Sequence, residues 1–107
     1  MTHLSTHVLD AVTGAPAAGV AVTLTDGAGT VVNAAHTDDD GRIAGLAPGE
    51  LSGTYRLRFD TGAYFTARGV TGFYPEVVIT FEVTDPGGRY HVPLLLSPYA
   101  YSTYRGS

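Results

Sequence analysis

Short runs of alternating apolar and polar residues, each closed by a turn signal, confine this chain to an all-β sandwich. Residues 4–9 form the first run and end before Thr13-Gly14-Ala15-Pro16. In residues 20–25, Val20, Val22 and Leu24 share one face and Ala21, Thr23 and Thr25 the other. Asp26-Gly27 then predicts a tight hairpin into residues 30–37. A brief strand over 42–46 follows Asp38-Asp39-Asp40-Gly41, and Pro48-Gly49 turns the chain again. Tyr55, Leu57 and Phe59 alternate with polar neighbours, as do Val77, Ile79, Phe81 and Val83. After Asp85-Pro86-Gly87-Gly88, the last two strands span 90–96 and 99–104. Residues 61–68 alternate poorly, with a capping residue in Asp60 or Thr61 and a stop at Gly69. The expected architecture is therefore about eight strands, with one short helix between the fifth and the sixth.

At 107 residues this is a single domain, 1–107, able to bury roughly 65% of its unfolded surface without a covalent staple. Cysteine is absent, which excludes disulfides, thiolate metal sites and a cysteine nucleophile. All six basic residues are arginine, so Schiff-base chemistry and a P-loop lysine are excluded too. A net charge of −4 argues against nucleic acid or an anionic membrane as partner. No basic and apolar leader opens the chain, and no run is long enough to span a bilayer. A cytoplasmic location is the expectation.

Histidines are the first candidates for chemistry. His3, Ser5 and His7 share one face of the first strand, but at about 3.3 Å per residue His3 and His7 lie roughly 13 Å apart, too far to share a metal. His91 shares a face with Arg89 and Pro93, so that face is not ordinary apolar core. Pro93 lacks a ladder donor, which predicts a strand locally unpaired or near an edge. By spacing alone, His3 and His91 read as surface residues, and His7 remains open. Asp38-Asp39-Asp40-Gly41 fails the calcium-loop template, because His36 and Ala47 would fall where carboxylates are needed. It reads as a solvated turn, with Arg42 just after it free to aim a guanidinium at a carbonyl or anion. No serine lies in a Gly-x-Ser-x-Gly elbow. A His/Arg site that activates water fits better than a covalent mechanism. Three of the seven tyrosines crowd into the last nine residues, as suits an oligomer seam, although by itself the end of the chain reads as frayed.

Six segments taken in order resemble the transthyretin-like 5-hydroxyisourate hydrolases over essentially the whole chain. They are Leu4-Ser-Thr-His-Val-Leu-Asp10, Gly14-Ala-Pro-Ala17, Thr37-Asp-Asp-Asp-Gly-Arg42, Phe73-Tyr-Pro75, Tyr90-His-Val-Pro-Leu-Leu-Leu-Ser-Pro98 and Tyr101-Ser-Thr-Tyr-Arg-Gly-Ser107. The closing Tyr-Arg-Gly-Ser separates the family's enzymes from its hormone carriers. The resemblance implies a prealbumin-like sandwich of two four-stranded sheets, assembled as a homotetramer, a dimer of dimers. It also implies cofactor-free and metal-free hydrolysis of 5-hydroxyisourate to 2-oxo-4-hydroxy-4-carboxy-5-ureidoimidazoline in urate breakdown. Its catalytic positions fall on His7, Arg42 and His91, and its substrate-lining tail on Tyr104, Arg105, Gly106 and Ser107. Two departures, Arg89 and a slightly short loop before Arg42, are expected to lie clear of the site. The alternative is a transthyretin-like carrier of an aromatic ligand. A structural sandwich domain and a zinc hydrolase are weaker rivals, the latter for want of a third ligand near the histidines.

Overall fold

The computed structural model describes residues 1–107. All eight expected runs form strands, and a ninth, two residues long, lies in a stretch read as turn. In chain order they are β1 (His3–Asp10), β2 (Ala15–Pro16), β3 (Ala21–Asp26), β4 (Val31–His36), β5 (Arg42–Ile43), β6 (Gly53–Phe59), β7 (Val77–Val83), β8 (Arg89–Ser97) and β9 (Ala100–Thr103). One helix, α1 (Thr61–Ala67), lies between β6 and β7. One sheet runs β2-β1-β8-β9, with β5 also paired to β1, and the other runs β4-β3-β6-β7. The β1–β8 pair is parallel and joins the two ends of the chain along eight residue pairs.

Alternation sets the layers. Leu4 and Val8 of β1 and Tyr90, Val92, Leu94 and Leu96 of β8 point inward. They meet Val22 and Leu24 of β3 and Leu57 and Phe59 of β6 in one cluster of nineteen buried apolar residues. Polar groups that enter this interior are paired: Thr6 Oγ1 donates to the Val92 carbonyl at 2.7 Å, and Thr37 Oγ1 donates to the Ala17 carbonyl at 2.7 Å. No buried side-chain nitrogen or oxygen lacks a partner. No helix is long and apolar enough to cross a membrane.

One local expectation is corrected and another is narrowed to one of its two alternatives, a strand locally unpaired at Pro93. The hairpin at Asp26-Gly27 is not a two-residue turn, because residues 27–30 form the loop and the register shifts between Leu24 and Thr25. Asp26 Oδ1 accepts the N–H groups of Ala28 and Thr30, both at 2.9 Å, and so stabilises the wider loop. Pro93 does not mark an edge, since β8 lies between β1 and β9. Only the β9 side of the ladder lapses at Pro93, and there its carbonyl accepts Thr103 Oγ1 at 2.7 Å.

The helix forms where its caps predict. Asp60 accepts the Ala63 N–H, and Gly69 turns the chain away with φ +70°. Its buried Tyr64 donates to Asp10 Oδ2 at 3.0 Å, tying α1 to the end of β1. Burial, and then the Asp10 carboxylate, hold the Tyr64 phenol above its ordinary pKa, so it remains the donor. Tyr64→Phe should lower unfolding free energy by about 1–3 kcal/mol, because Asp10 is buried and loses a donor there. Urea denaturation reads this, and an unchanged midpoint would reduce the tie to packing.

Candidate active site

Arg42 owes its position to the acidic turn. Asp38 Oδ1 accepts the N–H groups of Asp40 and Arg42 at 2.9 Å each, while Asp39 and Asp40 stay exposed. Gly41 adopts φ +74°, and its carbonyl accepts the Val8 N–H at 2.7 Å. A Cβ at Gly41 would overlap the Val8 carbonyl, so only glycine lets the turn lie this close to β1. Arg42 thus enters β5 directly opposite His7.

Parallel pairing of β1 with β8 assembles the rest. On the outward face His3 lies opposite Arg89, Ser5 opposite His91, and His7 opposite Pro93. His3, Ser5, Arg42, Arg89, His91 and Ser107 line a polar cleft of about 370 Å³. His7 is half-buried on the same face, one outward position along β1 from Ser5, and does not line that cleft. No aspartate or glutamate side chain lines it. Neither cleft arginine has an ionic partner, since the chain's one ion pair is Arg58 with Glu76 at 3.9 Å. The cleft is therefore cationic on a chain of net charge −4.

The tail is ordered. Beyond β9, Gly106 returns to β8 and donates its N–H to the His91 carbonyl at 2.8 Å, continuing the β8–β9 register past Pro93. A Cβ on Gly106 would run into the His91 ring, so a glycine here is a steric requirement of the site. Ser107 reaches the cleft, but Tyr104 and Arg105 do not. They line a second, largely apolar cavity of about 320 Å³ with Ile79, Phe81 and Val92. The Arg105 guanidinium stacks over the Tyr90 ring at 4.8 Å. Tyr90 and His91 border both spaces.

Burial first, then the Arg42 guanidinium and His7, hold the His91 imidazole below its ordinary pKa of 6.5, against the opposing pull of the Ser5 backbone. His91 is thus neutral at pH 7 and able to accept a proton. No three His, Asp or Glu side chains gather where they could hold a metal ion.

The expectation that Arg89 lies clear of the site is overturned, because it lines the cleft with Arg42 and His91. Ser5, which lies in no nucleophile elbow, and His3, read as a surface residue, line it as well. Alternation placed each on the correct face of its own strand. What it could not reveal was that the first and eighth strands are parallel neighbours.

The HIUase/Transthyretin family model matches residues 4–106. A 5-hydroxyisourate hydrolase of Salmonella dublin is 49% identical over 109 residues, covering 97% of this chain and 80% of that protein. The solved 5-hydroxyisourate hydrolase of Klebsiella pneumoniae superposes with a TM-score of 0.92 at 39% identity, over the full length of both chains. Sea bream transthyretin, solved in complex with thyroxine, superposes with a TM-score of 0.88 at 36% identity, covering 96% of this chain and 93% of that one. The chain belongs to the HIUase/Transthyretin family.

Proposed function

We propose that this chain is a 5-hydroxyisourate hydrolase, adding water across a ring amide to give 2-oxo-4-hydroxy-4-carboxy-5-ureidoimidazoline. The observation that carries this reading is a single one. A neutral histidine, His91, and an arginine without an ionic partner, Arg42, border one small cleft at which the tail also ends.

The product bears a new carboxyl and a ureido group, so the bond broken is an amide of the six-membered ring. His91 takes a proton from water while the water oxygen bonds to the amide carbonyl carbon. The carbonyl π electrons move onto oxygen, and Arg42 stabilises that oxyanion with its fixed fork of N–H donors. As the oxyanion collapses, the C–N bond breaks and the leaving nitrogen takes the proton back from His91. His7, opposite Arg42 across β1 and β5, orients the guanidinium from outside the cleft. Arg89 supplies a second cation for the carboxylate that forms. Gly106 seats the His91 ring and Ser107 closes the cleft, while Tyr104 and Arg105 hold the tail from the neighbouring cavity.

The assembly that goes with this reading is a homotetramer, a dimer of dimers. The edge strand β9 and the exposed Tyr99, Tyr101 and Tyr104 beside it support it, as surface that further copies would cover. A transthyretin-like carrier is disfavoured because the cleft presents two arginines and two histidines rather than an apolar wall.

Freshly prepared 5-hydroxyisourate should lose its ultraviolet band faster with the purified protein than in buffer. A rate equal to the buffer rate, together with tight binding of an iodinated aromatic, would favour the carrier.

A further inference from the structure

Ser5 and His91 are register partners on the outward face of the β1–β8 pair, and the Ser5 hydroxyl oxygen lies 2.8 Å from His91 Nδ1. That hydroxyl has no other side-chain hydrogen bond, so its geometry serves the imidazole alone. The far side of the ring is fixed as well. Gly106 packs against Cδ2, Cγ and Cβ, where no side chain could fit. Flipping the ring would put a carbon in place of Nδ1 and forfeit the bond to Ser5. A hydroxyl can accept a hydrogen bond from Nδ1–H or donate one to a bare Nδ1, and the two choices give Nε2 opposite roles. In the first, Nε2 is a proton acceptor. In the second, it is already protonated and can only donate.

We infer that Ser5 is a positioning residue that accepts a hydrogen bond from Nδ1–H of His91, fixing the tautomer whose bare Nε2 takes the proton of the attacking water. This rests on the hydrolase reading above and assigns His91, rather than His7, as the base. The physical reason lies in the charged form. Imidazolium carries an N–H on both nitrogens, so once His91 is protonated the Ser5 oxygen must accept. Only the Nδ1–H tautomer lets the same hydrogen bond persist through the proton transfer, with no hydroxyl rotation at the moment of reaction. The Ser5 backbone acts in the same sense, favouring the protonated ring. Arg42 on β5 and His7 on β1 oppose that charge, which returns the proton to the leaving nitrogen once the bond has broken. The Ser5 hydroxyl hydrogen is then left for the cleft that Ser5 lines.

Nitrogen-15 spectra of the ring nitrogens, read at pH 8 without substrate, test this directly. His91→Gln identifies the signals. Wild type should show a protonated Nδ1 and a bare Nε2 on His91. Ser5→Ala should shift the ring toward the Nε2–H form and lower kcat about tenfold, as for one lost orienting hydrogen bond, with KM unchanged. Ser5→Thr, which keeps the hydroxyl, should restore both the spectrum and kcat. A wild-type Nε2–H tautomer would overturn the inference, as would a Ser5→Ala protein with unchanged spectrum and kcat. The spectrum needs no substrate, so it reports the tautomer whether or not the chain hydrolyses 5-hydroxyisourate.

Discussion

His91→Ala should lower kcat/KM for 5-hydroxyisourate by about two to four powers of ten, the contribution of a positioned general base. The loss should fall on kcat. Arg42 and Arg89, which line the same cleft, are untouched by the change, so KM should stay near its wild-type value. Far-ultraviolet dichroism and the sedimentation coefficient should stay at wild-type values, because the side chain is half-buried on the sheet's outer face and takes no part in the core. In wild type the acid limb of kcat/KM should lie below pH 6.5, since burial and then the Arg42 guanidinium depress the His91 pKa. The same shift acts on the fold with a definite sign. As pH falls below about 6.5, the unfolded chain takes up this proton before the folded one, so stability is full above that value and declines below it. A His91→Ala enzyme that retains wild-type kcat would transfer the base to His7.

Arg42 is the second large effect, and its pH behaviour separates charge from geometry. Arg42→Gln should cost about two to three powers of ten in kcat, the usual weight of one oxyanion donor. It should also move the acid limb to higher pH, because Arg42 ranks after burial among the causes that depress the His91 pKa. Arg42→Lys keeps the charge but loses the planar fork. Its acid limb should stay near the wild-type position while kcat still falls. Stopped-flow pH profiles of the three proteins decide the matter. If Arg42→Gln leaves both rate and limb in place, Arg42 is a surface residue of β5 and the oxyanion is stabilised elsewhere.

Much of the sandwich was legible because burial on a strand has period two. The inward sets Val20-Val22-Leu24 and Tyr55-Leu57-Phe59 are buried or half-buried as alternation requires. The helix was legible through its ends, Asp60 and Gly69, whose chemistry is local. The two-residue β2 was not, since a pairing that short leaves no periodic trace. The loop after Asp26 misled for a related reason. Asp-Gly suits a two-residue turn, but the Asp26 carboxylate binds N–H groups two and four residues on and sustains a longer one.

For the site, the residues themselves set His7, His91 and Arg42 on polar faces or at a strand start, and the ordered family signature joined them to the tail. The faces came from local pattern, and the link to the tail came from the resemblance to the family. Only the tertiary structure decided which of those faces meet. Parallel pairing of β1 with β8 puts Ser5 beside His91 and His3 beside Arg89, although 86 residues separate the members of each pair. It brought Arg89 into the cleft from which it was expected to be absent, and it sent Tyr104 into the neighbouring apolar cavity. The reason is physical. Alternation fixes which way a side chain points from its own strand, whereas strand order and register are fixed by how nineteen apolar side chains from all parts of the chain fill one core.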